Sequence, residues 1–209
     1  MTQQELVEAF IAKAKLVNCA VTEVPDVAAA LQYAVEVCEK KAPCEMLADE
    51  PGTEQGPLGP NKVPTRVKKV LAAPTLAEAD YAKLAAACEA KGILCVKEGL
   101  RKYLAGIDVG ICFAEAGVAA SGTCLVNTDN EDGRLASMIC ETSMLILRKS
   151  AMYPDLPAIT QIVRERMGQG PGATYTTLIT GPSRTADIER VGAVGVHGPL
   201  ELHVILLED

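Results

Sequence analysis

Two periods of polar and apolar positions divide this chain. Residues 2–17, "TQQELVEAFIAKAKLV", place apolar side chains three and four apart, the spacing of an amphipathic helix. Acids stand early in it and lysines late, as a helix dipole favours. "CAVTEV" (19–24) reads as a short strand. Pro25 and Asp26 open a second helix through Lys40, with Val27, Ala30, Leu31, Ala34, Val35 and Cys38 as its apolar positions. "CEMLAD" (44–49) has strand character. Residues 49–64, "DEPGTEQGPLGPNKVP", hold four prolines and three glycines and break the pattern, so a loop is expected there.

Beyond that loop the two periods alternate. "VKKVLAA" is an expected strand. "PTLAEADYAKLAAACEAKG" is an expected helix, with Thr75 and Glu78 as a capping box and Gly92 at its end. "ILCVKEG" is a strand, and "DVGICFAEAGVAASGTCLVNT" reads as two strands around a turn of small residues. "DNEDG" (129–133) is a polar turn, "RLASMIC" a short helix and "SMLILRK" a buried strand. "DLPAITQIVRERMG" is a helix ending at Gly168, followed by the glycine loop "GQGPGA". "TYTTLIT" and "LHVILLE" are the last strands. Strands alternating with helices predict an α/β fold: a mainly parallel sheet flanked by helices, with an N-terminal helical lead-in. The natural division is a lead-in over 1–64 and an α/β domain over 65–209.

Composition narrows the classes of function. The 209 residues are 49% apolar but only 3% aromatic, so Ala, Val, Leu and Ile must build the core. The net charge is −7 and no run of five basic residues occurs, which argues against nucleic acid or an anionic membrane surface as partner. No apolar run approaches the ~20 residues of a spanning helix. The N-terminus lacks the order of a secretory signal, so a cytoplasmic protein is expected. Eight cysteines occur without any C-x-x-C, so no zinc or iron–sulfur site is expected. They read as buried free thiols, with Cys140 and Cys124 the candidates for a reactive one.

The candidate chemistry concentrates near the C-terminus. In "TLITGPSRTADIE" (177–189) a strand runs into a glycine turn and then, by pattern, into a helix. Thr180, Gly181, Ser183, Arg184, Thr185 and Asp187 then have the layout of an anion site. Gly181 permits the turn, Ser183 or Thr185 caps the helix, and its N–H groups would point into the crevice at the carboxyl end of the sheet. Arg184 adds a fork suited to carboxylate or phosphate. The same residues also suit a plain helix cap, with Arg184 paired to Asp187 or Glu189. "GVHGP" (195–199) sets His197 beside Gly198 in a turn, where it could bind a ligand or act as acid or base near neutral pH. Holding backbone carbonyls is the alternative. His203, among apolar neighbours, is expected to be structural. Ser121, Gly122 and Thr123 form a small-residue turn that could present N–H and hydroxyl groups, or simply a tight corner. Arg134 lies in the polar turn downstream. Asp129 and Asp132 there are too few for a metal site.

"GPSRTADIE" followed by "GVHGPLELHVILLED" resembles the closing signature of the lactate-utilisation (LUD-domain) family of the LutC/YkgG type. The resemblance covers residues 65–209 and is strongest over 177–209. It implies a fold similar to the NagB/RpiA/CoA-transferase-like group, with a cleft at strand ends. It implies a subunit of a system oxidising L-lactate, or a related 2-hydroxy acid, to pyruvate. Iron–sulfur partner proteins would carry the clusters, and the LutC-type subunit itself has no established cofactor. A small anionic ligand is implied, and self-association stays open. The chain departs from the family pattern at two positions: Ala120 stands where an acid is usual, and Ser143 stands near a usual histidine. Two other readings stay open, a non-catalytic assembly protein and, by fold analogy, a phosphosugar or CoA-type enzyme.

Overall fold

The structure, a computed structural model, describes residues 1–44, 68–103, 106–168, 174–186 and 192–208. In chain order its elements are α1 (Gln3–Leu16), β1 (Cys19–Val24), α2 (Val27–Lys40), β2 (Val70–Ala72), α3 (Glu78–Ala90) and β3 (Leu94–Val96). There follow β4 (Ile107–Val118), β5 (Thr123–Asn127), α4 (Glu131–Met138), β6 (Cys140–Arg148), β7 (Met152–Tyr153) and α5 (Thr160–Met167). The last are β8 (Thr176–Ile179), β9 (Arg184–Thr185), β10 (Ala193–Val194) and β11 (Glu201–Leu207). The expected strand over 44–49 and the loop over 49–64 lie outside the described residues, apart from Cys44.

Six strands form a wholly parallel sheet in the order β1-β11-β6-β4-β2-β3. This is the mainly parallel sheet flanked by helices that the alternation of periods predicts. The long β4 carries on past this sheet. Its outer half pairs antiparallel with β5, with a bulge between Ala114 and Ala116, and β5 pairs with β8. A bulge adds bend and twist, so one strand serves two sheet regions.

The apolar positions divide cleanly between the faces. On one side Phe10 and Ala14 of α1 pack with Leu145 and Leu147 of β6 and with Val204 and Leu206 of β11. On the other, Leu31, Val35 and Cys38 of α2 and Leu84 and Cys88 of α3 pack with Met144, Ile146 and Ile205. Successive strand residues thus serve opposite layers, as a sheet covered on both faces requires. The N-terminal residues belong to this core: all of β1 pairs with Leu202–Leu207 of β11.

A capping expectation and a turn expectation change. Thr75 and Glu78 form no capping box, because α3 begins after Ala77 without a side-chain cap. Leu76 is buried, Thr75 packs its methyl toward Gly133 of α4, and Glu78 pairs with Lys97 instead. The polar turn "DNEDG" is the start of α4: Asn130 Oδ1 accepts from the Gly133 N–H at 3.2 Å. Asp132 accepts from the N–H groups of Gly99 and Leu100 at 3.0 and 2.8 Å. Its carboxylate serves the backbone, tying α4 to the turn after β3.

Candidate functional site

The turn after β8 is shaped by α1. Gly181 has φ +75°, and a Cβ there would lie 2.6 Å from the Val17 carbonyl oxygen at the end of that helix. No other residue fits so close to a helix terminus in that conformation. The chain beyond enters a short strand. Arg184 and Thr185 form β9 and pair antiparallel with Val194 and Ala193 of β10. At Arg184 and Thr185 hydrogen bonding to 193–194 sets a short strand, and the helix expected over 186–189 lies outside the described residues apart from Ala186. Asp187 lies outside the described residues. The Ser183 N–H donates to the Pro199 carbonyl at 2.9 Å, and the Gly195 N–H donates to the Ser183 carbonyl at 2.9 Å. These bonds stitch the "GPSR" and "GVHGP" segments side by side.

Between them and the sheet lies a cavity of about 240 Å³. Thr177 to Gly181 and Ser183 form one wall, His197 to Pro199 a second, and Ser137 and Met138 at the end of α4 a third. Ser143 and Leu202 form the floor. These two are register partners near the starts of β6 and β11. The cavity thus opens at the amino edge of the central parallel strands, not at the carboxyl edge expected from the general habit of α/β sheets. At the carboxyl edge Lys149 pairs with Glu23 and Glu208.

The structure brings Thr180, Gly181, Ser183, His197 and Gly198 to this cavity. Ser121 and Thr123 stand behind it. The Ser121 and Thr123 hydroxyls lie 2.6 Å apart, and Thr123 reaches Thr180 at 2.7 Å, a chain of three hydroxyls ending at the wall. Gly122, at φ +71°, faces α1: a Cβ there would sit 2.6 Å from the Ala14 nitrogen. Arg184 is exposed and Thr185 half-buried, both outside the lining. The charge of Arg184 still reaches the same edge. The Cys19 thiol, pushed up by burial, is drawn partly back by the Gly181 N–H and by Arg184, and Cys19 is the register partner of Leu202. Arg134 is placed elsewhere: it donates to the Thr128 carbonyl at 2.7 Å and covers the Tyr175 ring at 4.5 Å.

Several lining residues were not among the sequence candidates, notably Ser137, Met138, Leu178 and Leu202. One of the rest carried a signal. In β6, Ser143 occupies the face on which Leu145 and Leu147 are core, so a hydroxyl stands where the alternation asks for an apolar group. It is 1% exposed, and its Oγ has no hydrogen-bond partner among the described residues. The Cys140 thiol is near enough to feel this hydroxyl, yet no bond of regular geometry joins them.

A second polar cluster lies beside this site. Asp108, 1% exposed, accepts from Lys41 Nζ at 2.8 Å, from the Cys44 N–H at 2.9 Å and from the Val70 N–H at 2.7 Å. Glu141 shares the same ammonium at 2.8 Å. Cys44, Asp108 and Glu141 offer donor atoms within 4.8 Å of one another, but the Lys41 ammonium already supplies the positive charge between the two carboxylates. His203 is engaged as expected of a structural residue, its Nδ1 2.9 Å from the Tyr33 hydroxyl and its Nε2 3.2 Å from Glu201.

The reactive-thiol candidates are also corrected. Cys140 and Cys124 are buried, and burial raises both thiols, Cys140 to about 12. Cys44 and Cys95 are half-buried. Burial, then the Asp108 charge, push Cys44 up to about 12, whereas a hydrogen bond from Cys88 holds Cys95 below its ordinary value. At pH ~8, iodoacetamide is expected to alkylate Cys95 before Cys44, and to reach Cys124 and Cys140 only after unfolding. Peptide mapping checks this, and early labelling of Cys140 would contradict it.

A model of the LUD domain matches residues 7–207. The chain belongs to the LUD domain family. The LUD chain is similar to the uncharacterised protein YkgG of Escherichia coli K12, 36% identical over 102 residues. It is also similar to lactate utilization protein C of Bacillus subtilis 168, 37% identical over 103 residues. The matched stretch spans about half of this LUD chain, 48 and 49%, and less than half of those relatives, 44 and 43%. The crystal structure of a DUF162 family protein from Deinococcus radiodurans shares the fold, with a TM-score of 0.59 over 99% of both chains at 16% identity. Among the described residues of the LUD domain no helix is long and apolar enough to cross a membrane.

Proposed function

We propose that this LUD-domain protein is the LutC-like component of a system that oxidises L-lactate, or a related 2-hydroxy acid, to pyruvate. In this reading it holds the small acid, and iron–sulfur partner proteins take the two electrons. The kinship to lactate utilization protein C supports the pathway. The observation that carries the site is the convergence of the 180–183 and 197–199 segments on one cavity of about 240 Å³. That volume is below the ~300–1,000 Å³ of pockets for drug-sized ligands and suits a molecule of a few carbons. Leu178, Ile179 and Leu202 offer its methyl group an apolar wall. Hydroxyls and the backbone of the Gly181 turn offer its oxygens hydrogen bonds. Arg184 supplies a positive charge at the rim for the carboxylate, and exposed His197 at the mouth is the candidate acid or base.

Titration calorimetry with L-lactate and pyruvate tests this. Binding is expected in the wild type, weakened about tenfold or more in Arg184→Ala, since a charge-assisted bond is worth ~1.5–3 kcal/mol. Absence of heat with both acids at millimolar concentrations would remove the reading. The lone protein is expected to reduce no dye with lactate. Lactate-dependent reduction without partners would instead show that it performs the oxidation alone.

A further inference from the structure

The floor of the cavity holds a group without a partner among the described residues. Ser143 Oγ is almost fully buried and unbonded among the described residues, and it lines the cavity. Buried hydroxyls nearly always find a partner, and one without is costly. Three other hydroxyls of the walls are already engaged, and Ser183, the fourth, is only half-buried. Ser137 donates to the Arg134 carbonyl at 2.8 Å, Thr177 lies 2.9 Å from the Thr128 hydroxyl, and Thr180 bonds Thr123. Beside Ser143 the floor is apolar, from its register partner Leu202.

We propose that Ser143 is the hydroxyl that reads the ligand, bonding the 2-hydroxy or 2-oxo oxygen of a short carboxylic acid. The proposal rests on the reading of the cavity as the acid's site. A ligand that brings an oxygen to Ser143 satisfies a hydroxyl the empty fold leaves unpaired. A ligand of the same shape with a methylene there leaves it unpaired and gains nothing. Ser143 therefore selects 2-hydroxy and 2-oxo acids over plain fatty acids, while Arg184 at the rim treats their carboxylates alike.

The test is a cycle of two proteins and two ligands, read by calorimetry, with thermal melts of the unliganded proteins. The proteins are wild type and Ser143→Ala, and the ligands are L-lactate and propionate, which differ by the 2-hydroxyl. Ser143→Ala removes the unpaired hydroxyl with almost no change of volume, so its unliganded melting temperature is expected to rise. Its affinity for L-lactate is expected to fall about tenfold, the scale of one hydrogen bond, while propionate binds both proteins equally. Equal loss for both ligands, or unchanged lactate affinity in Ser143→Ala, overturns the proposal and leaves the cavity's role standing. If the wild type binds neither L-lactate nor pyruvate, the acid-binding reading falls and this proposal with it. A lowered melting temperature in Ser143→Ala shows that the hydroxyl is already paired in the fold, and also overturns it.

Discussion

Replacing Asp108 by alanine is expected to destabilise the protein by about 3–5 kcal/mol, the scale for breaking a buried charge pair. For a chain of this size that lowers the melting temperature by roughly 6–20 °C. One carboxylate holds three groups from separate places: the Lys41 ammonium after α2, the Cys44 N–H, and the Val70 N–H at the start of β2. Cys44 and Val70 flank residues 45–69, so Asp108 fixes both ends of that segment against the start of β4. Removing it leaves two backbone N–H groups and an ammonium to find new partners. Lys41→Met should cost less, because Asp108 keeps both N–H donors. Burial of Lys41 disfavours its charge, but Asp108 and Glu141 outweigh this and raise its pKa. Its stabilising effect is therefore complete below the unfolded value of ~10.4 and fades as pH rises through the higher folded value. The gap between wild type and Lys41→Met should stay constant from pH ~6 to ~9 and shrink only in stronger alkali. Denaturant melts across pH check both statements, and an Asp108→Ala variant as stable as wild type would refute the first.

Gly110→Ala is expected to combine a loss of stability with a loss of binding. A Cβ at Gly110 would lie 2.0 Å from the Ala136 carbonyl oxygen and 3.0 Å from Cys140 Sγ. The obstacle is helix backbone, so α4 must move off β4, a strain of about 1–3 kcal/mol. The far end of α4 supplies Ser137 and Met138 to the cavity, and Gly110 is the register partner of Ser143. One methyl group thus disturbs a wall and the floor together. L-lactate affinity should fall with the melting temperature in Gly110→Ala, whereas Ser143→Ala should separate the two. Unchanged affinity in a destabilised Gly110→Ala would mean that α4 does not shape the site.

Most elements were legible because their pattern is local. The helices at 3–16 and 27–40 and the strands at 19–24 and 201–207 follow from period and composition, since each buries one face or both. The errors fall where a distant segment competes with a local preference. Arg184 and Thr185 read as part of a turn and cap, but 193–194 offers hydrogen bonds and β9 forms. Thr75 has the sequence of a cap, but Leu76 is drawn into the core and α3 starts later. The cysteines read as buried thiols as a group, but local sequence did not tell which would stay partly accessible: Cys124 and Cys140 are buried, and Cys44 and Cys95 are half-buried.

By itself the sequence determined the alternation of helices and strands, a parallel sheet with both faces covered, the family signature near the C-terminus, and two segments, "GPSR" and "GVHGP", rich in polar groups at strand ends. Those are properties of period, propensity and residue type, which act within a few positions. Only the tertiary structure decided which edge of the sheet carries the cavity. It set Ser143 beneath that cavity with no partner among the described residues, kept Arg134 away from it, and joined Lys41, Asp108, Cys44 and Val70 in one cluster. Each of these depends on strand register and on α1 and α4 lying against glycines distant in sequence, at positions where a single Cβ would not fit.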